Sequence, residues 1–221
     1  MIEIQILHSC DYQKTLEIQQ SRQQEVIQSL QQECIYIVEH PPVITLGRRG
    51  GITQLHTSNK TETMVEIIRT ERGGLATCHN YGQLVIYPII NIQSRNIGIQ
   101  AFICLLLQSV QTVLEERYQI HVDISSKNTG IWLDNKKIGS IGMKITNGVS
   151  YHGLSLNVYN DLDLFGQIEP CGFSSSIISN LRTLITSVPT QKILPQCSSE
   201  LMILGKSIST KMIEKIELET F

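Results

Sequence analysis

Residues 137–158 read KIGSIGMKITNGVSYHGLSLNV, two runs of strand character on either side of Asn147-Gly148. An Asn-Gly pair between two such runs is a strong short-range hairpin signal, because both residues tolerate the positive φ that a tight turn demands. The stretch is therefore an antiparallel hairpin. Just upstream, 122–124 and 130–133 read as two more short strands, with Asp134-Asn135 as the second turn. Four successive antiparallel strands in a row exclude a strict βαβ alternation.

Working outward, a helix is expected over 97–118, and strands over 84–90, 65–68 and 34–38, the last stopped by His40-Pro41-Pro42. Ile2, Ile4 and Ile6 alternate with Glu3 and Gln5 as a first strand. Asp11 then caps a long surface helix from Tyr12 to about Gln32, Gln- and Glu-rich and without Gly or Pro. Residues 198–219 read as a closing helix with Leu201, Ile203, Leu204, Ile208, Met212, Ile213 and Ile216 as its apolar positions. The class is α+β, a mixed or antiparallel sheet flanked by helices. The 221 residues suit one domain, a core over 1–193 with a C-terminal helix in 194–221.

Composition narrows the function. At 41% hydrophobic and 17% charged the chain is globular. A net charge of −2 and 5% aromatics supply neither the positive field nor the stacking rings that nucleic acid needs. The longest apolar run, 103–107, is broken by Gln108, Ser109 and Gln111, too soon for a membrane span. The start does not read as a secretory signal, so the cytoplasm is expected. Six scattered cysteines form neither a disulfide framework nor a zinc knuckle. His79 and His152 lack partners at metal-ligand spacing, and no metal is expected. There is no G-x-G-x-x-G after the first strand and no G-x-S-x-G elbow. Gly205-Lys206-Ser207 resembles the tail of a P-loop, but Glu200 stands where the first glycine belongs and the segment reads as helix.

What remains is a series of glycine-flanked polar segments: Leu46-Gly47-Arg48-Arg49-Gly50-Gly51, Arg72-Gly73-Gly74-Leu75-Ala76-Thr77-Cys78-His79, Lys137-Ile138-Gly139-Ser140-Ile141-Gly142, His152-Gly153-Leu154 and Pro170-Cys171-Gly172. In this order they resemble the motifs of the lipoyl(octanoyl) transferase family, over about residues 35–185. That resemblance implies the fold of biotin and lipoate protein ligases. It also implies transfer of an octanoyl group from octanoyl-acyl carrier protein to a lysine of a lipoyl domain, in 2-oxoacid dehydrogenases or the glycine cleavage H protein. Cys171 is then the nucleophile that carries the acyl thioester, and Lys137 lowers its pKa and relays protons. Arg72, Gly73, Gly74, Leu75, Ala76, Thr77, Cys78, His79, Ser140, Ile141, Gly142, Gly153, Leu154 and Ser155 become the substrate contacts.

The chemistry is coherent. Thioester exchange onto a thiolate is nearly isoenergetic and needs no ATP, and aminolysis of the acyl-enzyme is downhill. Glycines let backbone press close to an alkyl chain that gains roughly 0.8 kcal/mol per buried CH₂. Other readings stand beside these. Lys137, next to Lys136 and a turn, has the local context of a surface lysine. Arg48 and Arg49 are either solvated or grip an acidic carrier protein or its phosphate. His79 and His152 are either structural or functional. Cys78 and His79, adjacent on extended chain, point to opposite sides, which makes Cys78 a spectator by local geometry.

Two positions depart from the family pattern. His79-Asn80-Tyr81-Gly82-Gln83 replaces H-G-P-G-Q, and Cys78 stands where an aromatic is common, which puts loop shape and acyl-pocket size in question. The competing functions are an ATP-dependent lipoate or biotin ligase of the same fold, and a carrier-protein binding module without turnover.

Overall fold

The computed structural model describes residues 1–51, 55, 65–125, 129–169, 175–185 and 194–220. The Pro170-Cys171-Gly172 segment lies outside the described residues. Among the described residues ten strands and four α-helices follow one another as β1 (Glu3–Ser9), α1 (Tyr12–Ile27), β2 (Cys34–Glu39), β3 (Val43–Leu46), β4 (Glu66–Arg69), β5 (Ala76–His79), β6 (Gln83–Ile89), α2 (Ile99–Tyr118), β7 (Asp123–Ser125), β8 (Gly130–Leu133), β9 (Lys136–Thr146), β10 (Val149–Asn157), α3 (Leu181–Ile185) and α4 (Ser198–Glu219).

Seven strands form one sheet in the order β1-β2-β6-β10-β9-β8-β7, and β4-β3-β5 form a second. β1 with β2 and β3 with β4 are parallel, and the remaining neighbours are antiparallel. The sheet is mixed and the class α+β, as the run order of elements implies. Both tight turns use left-handed residues, Asp134 (φ 49°) with Asn135 (φ 61°) and Asn147 (φ 48°) with Gly148 (φ 78°).

One face of the large sheet packs against α2 and α4 through an aliphatic cluster that includes Ile37, Leu84, Ile86, Leu106, Leu154 and Leu204. The other face, with Tyr36, Val85, Tyr87, Val149 and Tyr151, is covered by α1 and by Val43 and Ile68 of the small sheet. A third cluster joins β3 and β5 to the 3₁₀ turn Asp163–Gln167.

Several boundaries differ from the sequence reading. α1 stops at Ile27, because Ser29 takes φ 58° and the Leu30 N–H turns back to Glu25 O, leaving Leu30 exposed. The Gln-rich tail has no apolar stripe to hold it on the sheet. α2 begins at Ile99 after Gly98, with Ile97 buried in the approach to it. β3 and β5 carry no sequence signal of their own. Each has four residues, too few for a periodicity, and each is held by the other, Leu46 opposite Ala76 and Val43 opposite His79.

Candidate active site

The site lies on the α1 face, where the glycine segments meet. Gly73 donates its N–H to Met143 O at 3.0 Å, which pins the Arg72-Gly73-Gly74 turn onto β9. The Arg48 and Arg49 N–H groups donate to Arg72 O and Gly74 O, at 3.0 and 3.1 Å, so the basic loop lies along the same turn. A Cβ on Gly47 would stand 2.6 Å from Gly74 O, which is why this loop begins with glycine. Arg72 is buried. Its Nη2 donates to Thr45 O and Thr45 Oγ1, both at 2.8 Å, and its Nη1 to Gly73 O at 3.1 Å. The guanidinium thus clamps β3 to the turn, with its charge buried at the site wall.

Beneath the turn is a cavity of about 450 Å³, its open mouth included. Of the residues expected to contact substrate, Arg72, Gly73, Gly74, Thr77, His79, Ser140, Ile141, Gly142, Gly153, Leu154 and Ser155 line it. Leu75 lies outside, on a wider groove that shares Gly73, Gly74, Ile141 and Gly142 with the cavity. Ala76 and Cys78 point the other way, into the third cluster, where Cys78 Sγ donates to Leu164 O. Strand alternation along β5 is the reason: Thr77 and His79 take one side, Ala76 and Cys78 the other. A cysteine in place of an aromatic therefore reshapes that cluster and not the cavity wall. Nor do Asn80 and Tyr81 enter. Asn80 Nδ2 donates to Asp161 O at 2.7 Å, and Tyr81 is half exposed.

Gly153 shows why this wall is glycine-rich. A Cβ there would stand 2.1 Å from Ile86 O, so β10 and β6 approach as only glycine allows.

The wider groove holds Lys137, together with Arg48, Arg49, Thr129, Met143 and Lys144. Lys137 is only 3% exposed, a burial its sequence context did not foretell. Its Nζ donates to Thr129 O at 3.2 Å and lies 5.6 Å from the centre of the Trp132 ring. A bulge delivers it. Ile131 pairs with Gly139 and Trp132 with Lys137, so Ile138 is an extra residue on β9 and drops into the first cluster. The backbone of Lys137 is also bridged to Ile178, its carbonyl accepts the Ser179 N–H at 3.1 Å, and Lys136 Nζ donates to Ser176 O. The chain five to eight residues beyond Cys171 therefore runs beside Lys136 and Lys137.

A polar network supports the cavity. Gln83 Nε2 donates to Cys78 O and to Asn157 Oδ1, while Gln83 Oε1 meets His79 Nδ1 at 2.6 Å. That bond makes Nδ1 the protonated nitrogen of His79. Asn157 in turn donates to Ser179 O at 3.0 Å, joining the cavity floor to the segment beside Lys137. Behind it, His40 bonds Cys10 O through Nδ1 and the Tyr87 hydroxyl through Nε2. Tyr12 stacks on His79 with ring centres 5.6 Å apart.

Burial sets the charges. It holds His40 down to about 4, holds His79 well below the ordinary imidazole range with help from His40, and, with Arg72, holds His152 down to about 3. The same burial lifts Tyr12 to about 12. All four are neutral at pH 7. Tyr12, Val85 and Tyr87 line the cavity without having been singled out from the sequence. They come from the start of α1 and the middle of β6, where nothing local distinguishes them from core residues. Among the described residues no group of three His, Cys, Asp or Glu is placed to hold a metal ion, and no helix is long and apolar enough to cross a membrane.

Comparison with known proteins gives the site its context. The family model of the lipoyl protein ligase A/B catalytic domain matches residues 11–202. The octanoyltransferase of Maridesulfovibrio salexigens is 33% identical over 208 residues, 92% of this chain and 87% of the relative. Among solved structures, the bipartite lipoate protein ligase of Thermoplasma acidophilum, described with its E2 lipoyl domain, superposes with a TM-score of 0.70 at 14% identity, over 99% of this chain and 89% of that one. Biotin protein ligase from Aquifex aeolicus superposes with a TM-score of 0.51 at 13% identity, over 97% and 70%. The ligase-like fold is the one expected, and the chain belongs to the lipoyl protein ligase A/B catalytic domain family as an enzyme of the octanoyltransferase type.

Proposed function

We propose that this protein moves an octanoyl group from octanoyl-acyl carrier protein to a specific lysine of a lipoyl domain, through an acyl thioester on Cys171. The single observation that supports this best is Lys137, a buried amine in the groove that shares Gly73, Gly74, Ile141 and Gly142 with the cavity, with residues 176–179 bonded to its strand. Cys171 is seven residues before Ile178, whose backbone is bridged to that of Lys137, and seven residues of chain span at most about 25 Å. The covalent tether thus permits thiol and amine to meet.

In the first half-reaction the Cys171 thiolate, favoured by the Lys137 ammonium, attacks the thioester carbonyl. The carbon–sulfur bond to the carrier breaks, and the departing thiolate takes a proton from Lys137. In the second, the neutral acceptor amine attacks the acyl-enzyme, Lys137 takes the proton that amine loses, and the Cys171 thiolate leaves. The cycle closes with the starting charges and consumes neither ATP nor metal. Arg48 and Arg49 edge the same groove and suit an acidic carrier or its phosphopantetheine phosphate. Lipoyl domains of 2-oxoacid dehydrogenases and the glycine cleavage H protein are the acceptors this chemistry would serve.

Intact-mass spectrometry after mixing the enzyme with octanoyl-carrier protein, without ATP, tests the proposal. Wild type gains one octanoyl mass and Cys171→Ala gains none. Transfer at the normal rate by Cys171→Ala would remove the thioester step. Strict dependence on ATP would instead favour a ligase, the activity for which the structural neighbours are named.

A further inference from the structure

His152 sits in the middle of β10 with φ 57°, although β10 pairs with β9 without a register shift from Val149 to Leu156. In a regular strand neighbouring side chains face opposite sides. Tyr151 belongs to the α1 face and Leu154 to the face under α2 and α4, so alternation would send the 152 side chain into the aliphatic core. The left-handed backbone turns it over instead. The imidazole stacks on Tyr151, with ring centres 4.5 Å apart, and lines the cavity. Gln19 of α1 holds the inverted backbone, its Oε1 accepting the His152 N–H at 2.9 Å.

The ring is 1% exposed, and neither Nδ1 nor Nε2 has a hydrogen-bond partner. A strained backbone and an unpartnered buried ring both oppose folding, and strain of this kind concentrates at functional sites. Three polar groups of the wall are already engaged: Arg72 with Thr45 and Gly73, His79 Nδ1 with Gln83, and the Tyr87 hydroxyl with His40. Held neutral, the His152 ring offers one donor and one acceptor, the complement of a hydroxyl. It is also remote from the reacting end. His152 pairs with Met143, six residues along β9 from Lys137, whose side chain runs along the strand to Gly130 and covers part of that distance.

Resting on the acyl-transfer reading above, we propose that His152 reads the inner end of the acyl chain, and that the site takes medium-chain acyl groups ending in a hydroxyl as well as those ending in a methyl. The transfer itself is unchanged, since the new group lies at the far end from the thioester.

The test is a competition. Octanoyl- and 8-hydroxyoctanoyl-carrier protein are mixed in equal amounts with enzyme and an acceptor lipoyl domain, and the ratio of the two products is read by mass. For wild type the hydroxylated product is expected within about threefold of the plain one. His152→Phe lowers that ratio at least tenfold, whatever it does to either rate, and His152→Asn, which tolerates the left-handed backbone and keeps a donor and an acceptor, holds it within about threefold of wild type. If His152→Phe does not fold, His152→Gly removes the ring while relieving the backbone, and the same tenfold fall is expected. A wild type that rejects the hydroxylated donor by a hundredfold, or a ratio indifferent to removal of the ring, overturns the proposal. Should wild type transfer no octanoyl group at all, the acyl-transfer reading is what fails. Calorimetric titration with free octanoic and 8-hydroxyoctanoic acids then decides the role of His152 by the same ratio of affinities.

Discussion

The two faces of the large sheet are built on opposite principles. Under α2 and α4 the interior is mostly aliphatic, Leu and Ile around Phe102, and its polar groups are few: Ser109 donates to Leu105 O one turn back, and the Ser209 hydroxyl of α4 is buried without a hydrogen-bond partner. Under α1 the interior holds Arg72, His40, His79, His152, Tyr12 and Tyr87, each buried. Both faces exclude water, but the first does so at a much smaller polar penalty. The first face therefore anchors the sheet, and the second uses that rigidity to keep polar and glycine positions that would be unfavourable alone.

This division makes opposite mutational outcomes the sharpest check. Replacement of Lys137 by Ala is expected to lower transfer by about 10²- to 10⁴-fold, the usual scale for loss of a proton-relaying group, and single-turnover kinetics would measure it. A loss below tenfold would show that the buried amine is structural. On the opposite face, Phe102→Ala removes a fully buried ring and should cost about 3–5 kcal/mol of stability. Chemical denaturation measures it, and a loss under 1 kcal/mol would mean that α2 does not anchor the sheet.

Acid separates the faces without mutation. His40 and His152 titrate at about 4 and about 3 in the fold, against an ordinary value of 6.5. Below pH 6.5 the unfolded chain binds protons that the folded one refuses, so stability falls as pH falls from about 6.5 toward 4. At pH 5 the loss is of order 2 kcal/mol per imidazole. Melting temperatures between pH 7.5 and 5 should therefore drop, and His40→Gln should flatten part of that slope. An unchanged slope would mean that the imidazole is not held neutral by burial.

The same division explains what could be read in advance. Hairpin turns, the apolar stripe of α4 and the alternation of β1 are local patterns, and they located the large sheet and most of its helices. The glycine segments were legible as motifs, and the wall of one cavity holds Arg72, Thr77, His79, Ser140 and Gly153 from three of them. What stayed hidden depends on distant partners. β3 and β5 exist because they pair with each other, the burial of Lys137 follows from a one-residue bulge on β9, and Tyr12 and Tyr87 become wall residues only when α1 lies across β6 and β10. Cys78 belonged to a motif, yet its side chain turns away because of strand parity.

The smallest expected effect tests how finely the two levels are joined. Asp11 caps α1, its Oδ1 accepting the Lys14 N–H at 3.1 Å, and Tyr12 is the first residue of that helix. The cap therefore fixes the start of the element that sets the Tyr12 ring against His79. Asp11→Ala should cost about 1 kcal/mol of stability and raise KM for the acyl donor several-fold, with kcat less affected, because a frayed first turn releases a wall of the binding cavity rather than the reacting end. Asp11→Ser, which can cap in the same way, should restore both. If stability falls while KM stays at its wild-type value, the Tyr12 ring is held by its neighbours in the cluster and not by the helix start.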